Sequence, residues 1–324
     1  EYLEPRLFEP LGIEGMTWET CPRGINTGGW GLSIETEGIA KFGELLRQKG
    51  QWQGKQIIPA KWVEEATTFK IQQPAPAKPS RPKETNQWLQ GYCYQFWRCT
   101  DGAFRGDGAF GQFMLVFPEQ EAVVAITGET NDLQGELDLV WAHLLPAFKP
   151  APLAEQPDQQ ERLKKTLAGL ALAPPEGASE SPNASAIAGK SFHLESNGLG
   201  LERVAFSFQD NDCFATFHDA HTDYPITCGM GKWRLGETAL PGTPPRLVTG
   251  GAAKPGTNFK LAAAAAWKEE KTLVMTWRYI ETPHHDSVTC QFDGDKVTIT
   301  FVNSMAQLNG ATKDKRPILT GRLG

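Results

Sequence analysis

The chain has 324 residues, a formal net charge of −6, 40% hydrophobic residues and 22% charged ones. That balance fits a soluble globular protein with room for two domains. It excludes a basic nucleic-acid surface, and no apolar run comes near the ~18 residues that a membrane-spanning helix needs.

The chain starts Glu1-Tyr2-Leu3, with no Met and no signal peptide. We read that start as a cut end, so the chain is expected to be part of a longer polypeptide. Cys21, Cys93, Cys99, Cys213, Cys228 and Cys290 contain no C-x-x-C pair, so a zinc ribbon or thioredoxin-type site is not indicated. Cys93 and Cys99 are spaced to meet across a hairpin, but buried free thiols are the favoured reading. Composition leaves the compartment open, between a cell envelope and the cytoplasm.

Composition divides the chain into residues 1–148, of mixed helix and strand pattern, a Pro- and Ala-rich linker over 149–190, and an all-β region over 191–324. In the first region Thr36 is placed to cap a helix running to Lys49. Ile39, Phe42, Leu45 and Leu46 form its apolar stripe and Gly50 stops it. A short helix follows Pro59, with Trp62, Val63 and Ala66. Pro74, Pro76, Pro79 and Pro82 make 72–86 an irregular loop. Strands are expected over 90–98, 110–117 and 121–127, the last two joined by a turn at Pro118-Glu119-Gln120. Asn131 is expected to cap a closing helix that buries Leu133, Leu137, Val140, Trp141, Leu144 and Leu145. The expected fold here is α+β, an antiparallel sheet with packed helices.

The linker carries one helix from Pro157, with Leu163, Leu167 and Leu170 at helical spacing, ended by Pro174-Pro175. Residues 176–186 are poor in apolar side chains and are expected to be mobile. The third region alternates in Val204 to Phe208, Cys213 to Phe217, Leu273 to Tyr279, Ser287 to Phe292 and Lys296 to Phe301. Turn signals stand at Asp210-Asn211-Asp212 and Asp293-Gly294-Asp295. This is the pattern of a β sandwich or small barrel.

Phe104-Arg105-Gly106-Asp107-Gly108-Ala109-Phe110-Gly111-Gln112 places three glycines within six residues at the entrance to a strand. Glycine weakens a strand, and the return is close approach of another backbone or a substrate. The plainer reading is a hairpin turn with a bulge, and spacing alone favours it. His218, Asp219, His221 and Asp223 are ligand types in one cluster, but a solvated hairpin end is favoured over a metal site. His284-His285-Asp286 reads as another turn, and His143 as a helix-surface or core residue. Trp30, Trp88 and Trp97 are candidates for lining a cleft, though core packing is the commoner role for tryptophan.

Three stretches of the first region resemble the serine β-lactamase and penicillin-binding-protein-like hydrolases, the group that includes class C enzymes and esterases. Residues 2–13, from Tyr2-Leu3-Glu4-Pro5-Arg6-Leu7 to Pro10-Leu11-Gly12-Ile13, resemble the segment after that family's tyrosine motif. Gly28-Gly29-Trp30-Gly31-Leu32, leading into Ile39-Ala40-Lys41-Phe42, is similar to its GG-x-x-L stretch. Gly91 to Trp97 and Gly106 to Pro118 resemble the strand pair beside its active site. The resemblance covers residues 1–148 and implies the C-terminal part of a β-lactamase/transpeptidase-like domain. It implies acyl transfer through the serine of an S-x-x-K motif, helped by its lysine and a tyrosine, on an ester or amide of a small molecule or peptide. Oxyanion donors would lie at Gly108 or Ala109, and substrate contacts at Arg105, Asp107, Gln112 and Trp30.

Two departures stand out. Arg105-Gly106-Asp107-Gly108 occupies the place of the family's Lys/His-Thr/Ser-Gly motif. No credible S-x-x-K and no Y-x-N are present. Ser80-Arg81-Pro82-Lys83 matches the letters, but Pro79 and Pro82 bar a continuing helix. Ser181-Pro182-Asn183 matches S-x-N inside the linker. The chain alone is therefore expected to be inactive, its catalytic residues lying in a missing N-terminal part that is its expected partner. No cofactor or metal is expected. Residues 278–284, starting Arg278-Tyr279-Ile280, are similar to tail domains of some bacterial serine hydrolases. The alternative is a non-catalytic binding protein working through its β domain.

Overall fold

The computed structural model describes residues 2–21, 23–74, 81–242 and 256–324. The chain divides into two compact units, Glu1–Gln156 and Pro157–Gly324.

The first unit is built on helices α1 (Thr36–Arg47) and α2 (Ala60–Thr67), strands β1 (Trp97–Arg98), β2 (Phe104–Gly108), β3 (Gln112–Phe117) and β4 (Ala122–Ile126), and helix α3 (Leu133–Leu139). The strands pair antiparallel in the order β1-β2-β3-β4. Side chains alternate between the faces of a strand, so β3 serves two cores at once. Met114 and Val116 join Phe104 and Val123 against Leu46 of α1. Phe113, Leu115 and Phe117 join Val124 and Ile126 against Leu137 of α3 and the following Val140. Helices thus cover both faces of the sheet, and each fully buried aliphatic side chain contributes about 1.5–3 kcal/mol.

Helix α1 has the expected stripe, with Leu45 and Leu46 buried and Ile39 and Phe42 packed beside them. Its cap differs. Glu35 is the extended N-cap residue, while Thr36 lies inside the first turn and bonds Thr127 Oγ1 at 2.8 Å. The end is Gln48, followed by Lys49 and Gly50 at φ 53° and 83°. Helix α3 is capped by Asp132, not Asn131: its Oδ1 accepts from Gly135 N at 2.9 Å. Leu144, expected inside, is exposed. The expected strand over 90–98 shrinks to β1, because Tyr92 makes isolated bridges to Ile71 and Trp97 instead of a ladder.

The second unit begins with helices α4 (Pro157–Ala168) and α5 (Pro182–Ile187). It continues through strands β5 (Lys190–Leu194), β6 (Arg203–Gln209), β7 (Asp212–His218), β8 (Asp223–Met230), β9 (Arg234–Thr238) and β10 (Phe259–Glu269). Strands β11 (Thr272–Tyr279), β12 (His285–Asp293) and β13 (Lys296–Asn303), helix α6 (Ser304–Leu308) and strand β14 (Leu319–Leu323) complete it. The order β8-β7-β6-β5-β14-β13-β12-β11-β10 is closed by parallel pairing of Gly229 with Ala264 and Met230 with Ala265, and β9 lies on β10. The result is a nine-stranded barrel; of the two expected architectures, sandwich and barrel, the chain adopts the second.

Aromatic side chains fill the barrel. Phe192, Phe206 and Phe292 pack with centroids 5.4–6.3 Å apart, and Phe217, Trp277 and Phe301 with centroids 6.0–6.5 Å apart. Residues 176–186 are held to this unit, contrary to the expected mobility. Ala178 bridges Trp267, Ser181 donates to Glu270 O at 2.5 Å while capping α5, and Ile187 is buried in the barrel core. The alanines of β10 suit this contact: Ala263 to Ala266 are all buried, and a Cβ on Gly177 would collide with Trp267 O.

Candidate functional site

Strand β2 carries the glycine-rich segment. Its register runs from Phe104 opposite Val116 to Gly108 opposite Gln112, so residues 109–111 form a tight loop joining β2 to β3. Phe110 and Gly111 turn the chain at φ 64° and 90°. Of the plainer expectation, a hairpin turn with a bulge, the segment forms the turn, and the register of β2 on β3 runs without a shift. On its outer side β2 is paired at Phe104 and Arg105 only, by Arg98 and Trp97. Gly106, Asp107 and Gly108 have no partner strand on that side among the described residues.

Gln112, expected to touch substrate, donates through Nε2 to Ala109 O at 3.2 Å and to Gly128 O at 2.6 Å. It braces the turn from within. A Cβ on Gly108 would stand 2.8 Å from Gln112 Cβ, so a branched side chain there would first displace this brace. Beside the turn an open cavity of about 510 Å3 is lined by Gly128, Glu129, Thr130, Asp132, Gly135, Glu136 and Leu139. Burial raises the pKa of the Glu136 carboxyl, and its Oε2 is buried without a hydrogen bond.

Arg105 and Asp107 share the opposite face of β2 from Phe104, two residues apart, as strand alternation requires. Arg105, expected to contact substrate, is fully buried (side chain 0% exposed) and pairs with Asp107 at 2.8 Å. Its Nη1 donates to Gln87 O at 2.8 Å and to Cys99 Sγ at 3.2 Å. Its guanidinium stands 4.4 Å from the ring centroid of Trp88 and 5.4 Å from that of Trp97. Nη2 is buried with no partner. A buried charge must be paired and hydrogen-bonded to be tolerated, and here the chain supplies the pair itself. Burial pushes the Asp107 carboxyl up, and Arg105 only partly offsets this.

The structure thus brings together Trp88, Trp97, Arg105 and Asp107, with Tyr92 against Trp97 at 4.8 Å. Trp30 is apart from them, exposed in a loop whose carbonyl accepts from Trp18 Nε1 at 3.2 Å. Nothing in the sequence marks Gln87 or Cys99 as neighbours of Arg105, since they approach only when residues 86–100 fold across the edge of the sheet.

Ser80 lies outside the described residues, as do Pro76 and Pro79; Ser181 is a helix cap. All six cysteines are free thiols, Cys93 and Cys99 among them. His218 Nδ1 bonds Asp223, while Asp219 accepts from Tyr224 Oη and from the backbone N–H of His221 and Thr222. Among the described residues no group of three or more His, Cys, Asp or Glu side chains could hold a metal ion. His143 is exposed. His284 is not solvated at its turn; it is buried, 3.3 Å from Ser304 Oγ. Asp286 is fully buried and holds Tyr279 Oη at 2.6 Å and Arg316 at 2.7–2.8 Å. Among the described residues no helix is long and apolar enough to cross a membrane.

No family model matches the chain, and no curated protein matches it. Among solved structures, it is similar to a putative 6-aminohexanoate-dimer hydrolase from Bacillus anthracis at 23% identity and a TM-score of 0.35, over 47% of this chain and 39% of that one. It is similar to an octameric penicillin-binding protein homologue from Pyrococcus abyssi at 11% identity and a TM-score of 0.32, over 98% of this chain and 59% of that one. A fatty acid-binding protein from Drosophila melanogaster brain tissue aligns at 11% identity and a TM-score of 0.29, over 42% of this chain and 98% of that one. The chain spans less than two thirds of the length of the first and second of these proteins.

Proposed function

We propose that residues 1–148 are the C-terminal part of a β-lactamase-like serine hydrolase acting on esters or amides of small molecules or peptides, with the barrel as an appended domain. In this reading a preceding segment of the same polypeptide supplies the serine, lysine and tyrosine. The present chain contributes one wall of the cleft and one backbone N–H, near Gly108 or Ala109, to the oxyanion. The observation that carries the reading is the free edge of β2. Gly106–Gly108 project unpaired main chain from a sheet covered by helices on both faces, and the edge leads into a turn braced by Gln112.

The chemistry requires that rigidity. A donor aimed at a developing oxyanion helps most when it is held in place before the reaction, and one such donor is worth about 10²–10³ in rate. Gln112 serves the reading as a positioning residue instead of a substrate contact. The alternative is a non-catalytic binding protein working through its β domain; it would have to use the outside of the barrel, because Phe192, Phe206, Phe217, Trp277, Phe292 and Phe301 are buried in its core.

The test is labelling with a fluorophosphonate. The chain by itself should take up no label, and a longer polypeptide encoded from further upstream should be labelled at the serine of an S-x-x-K motif. Stoichiometric labelling of Ser80 in the present chain, or an upstream sequence with no such motif, would overturn the proposal.

A further inference from the structure

Trp88, Tyr92 and Trp97 meet at two near-perpendicular junctions. Trp88 and Trp97 lie 4.9 Å apart at 76°, and Tyr92 and Trp97 lie 4.8 Å apart at 72°. All three rings are half-buried. Arg105 lies over Trp88 and Trp97 but is fully buried, so the ring surface it covers is not the surface that faces solvent. The exposed part of the corner is left to another group.

Asp107 lies beside this corner, paired with the Arg105 that covers the two indole rings. Its side chain is 11% exposed and that of Arg105 is 0% exposed, so the ion pair points its negative end outward. The hydrogen bond to Arg105 Nε uses Oδ2. Asp107 also bears on the aromatic wall: burial first, and then this carboxylate, raises the pKa of the Tyr92 phenol. Aromatic faces beside a carboxylate are the chemistry that recognises cations, because the negative ring faces and the carboxylate attract the same sign. A carboxylate ligand would meet the negative end of the pair, and the one donor that Arg105 has left, Nη2, is buried.

We propose that Trp88, Tyr92, Trp97 and Asp107 form a subsite for a cationic group, an ammonium or small guanidinium. It stands beside the free edge of β2, so it would take the charged end of an ester or amide bound along Gly106–Gly108. The substrate clause rests on the hydrolase reading, while the cation subsite does not.

Three probes of the same bulk and different charge test it on the intact chain: choline, its neutral carbon isostere dimethylbutanol, and the matching carboxylate dimethylbutanoate. Indole N–H resonances assigned through Trp88→Phe and Trp97→Phe report the binding. Choline should shift both resonances saturably and bind about five- to tenfold more tightly than dimethylbutanol, the range expected of an exposed cation–π contact plus a carboxylate. Dimethylbutanoate should shift neither. Asp107→Asn should remove most of the preference for choline. Because that change also disturbs Arg105, Tyr92→Leu and Trp88→Leu give a second check: both should weaken choline binding, with Trp88→Phe close to the parent. Equal binding of choline and dimethylbutanol, or tighter binding of dimethylbutanoate, would overturn the inference. Choline binding without fluorophosphonate labelling of the longer polypeptide would sink the hydrolase reading alone. Labelling without choline binding would sink the subsite alone.

Discussion

The carboxylate of Glu136 fills the space that a side chain on Gly111 would need: a Cβ built there collides with Glu136 Oε2. Gly111 also sits at φ 90°, where only glycine is unstrained. One contact therefore joins helix α3 to the turn that ends the free edge of β2. Gly111→Ala should lower the stability of the first unit by about 1–3 kcal/mol. Adding Glu136→Ala should return the steric part and leave the φ penalty. Denaturant melts of the two variants check this, and equal stability of parent and Gly111→Ala would contradict it.

The same carboxyl gives a pH-dependent expectation. Burial raises the folded pKa of Glu136 above its unfolded value. Ionising it therefore costs folding free energy, and the cost grows as pH rises through the folded pKa. Glu136→Gln should melt higher than the parent at pH 7, and the advantage should vanish near pH 4 and below. Thermal melts across that range decide the matter; a constant difference at every pH would be the wrong outcome.

Arg105 and Asp107 should be strongly coupled. Arg105→Met removes the partner of a buried carboxylate and the donor to Gln87 O, at a cost of about 3–5 kcal/mol. In the double variant Arg105→Met/Asp107→Asn that carboxylate is gone, so the loss should be smaller than for Arg105→Met alone. Strict additivity in a double-mutant cycle would show that the pair does not act as one unit.

The barrel has its own buried charges. Arg316 contacts both Asp286 and Asp314. Burial alone would push the Asp314 carboxyl up, but Arg316 outweighs it and holds the group below its ordinary value. That stability is present above the unfolded pKa of Asp314 and is lost as pH falls through the lower folded one. Arg316→Met should cost about 3–5 kcal/mol at neutral pH, because two carboxylates lose their partner. The deficit should narrow in acid, where the carboxylates are protonated; melts monitored by tryptophan fluorescence at both pH values test this.

Chelator should leave the melting temperature of the chain unchanged. His218 and Asp223 satisfy each other, and Asp219 is engaged by Tyr224 and the turn backbone, so the aromatic core needs no ion to complete it. A large fall in melting temperature with chelator, abolished by His218→Ala and His221→Ala, would reverse this reading.

Local patterns were enough for much of the fold. Ile39, Phe42, Leu45 and Leu46 recur at helical spacing and Lys296 to Phe301 alternate, because one face of each element must leave water and the backbone period dictates which residues share that face. Asp210-Asn211 and Gly294 mark their hairpins because few residues accept positive φ. Choosing the cap of α3 was harder: Asn131 and Asp132 are equally good cap residues, and one residue of chain direction decides between them. Barrel or sandwich was beyond local reading altogether, since the deciding pair, Met230 beside Ala265, is separated by a long stretch of sequence. So was the fate of Arg105. The sequence by itself determined that a charged, glycine-rich strand end stands at 104–112. Only the tertiary structure decided that Arg105 turns inward under Trp88 and Trp97 while Asp107, mostly buried beside it, keeps a small exposed part. Burying a guanidinium needs a carboxylate, a carbonyl and aromatic faces at once, and Gln87, Trp88 and Trp97 reach it only when the chain folds back across the sheet edge.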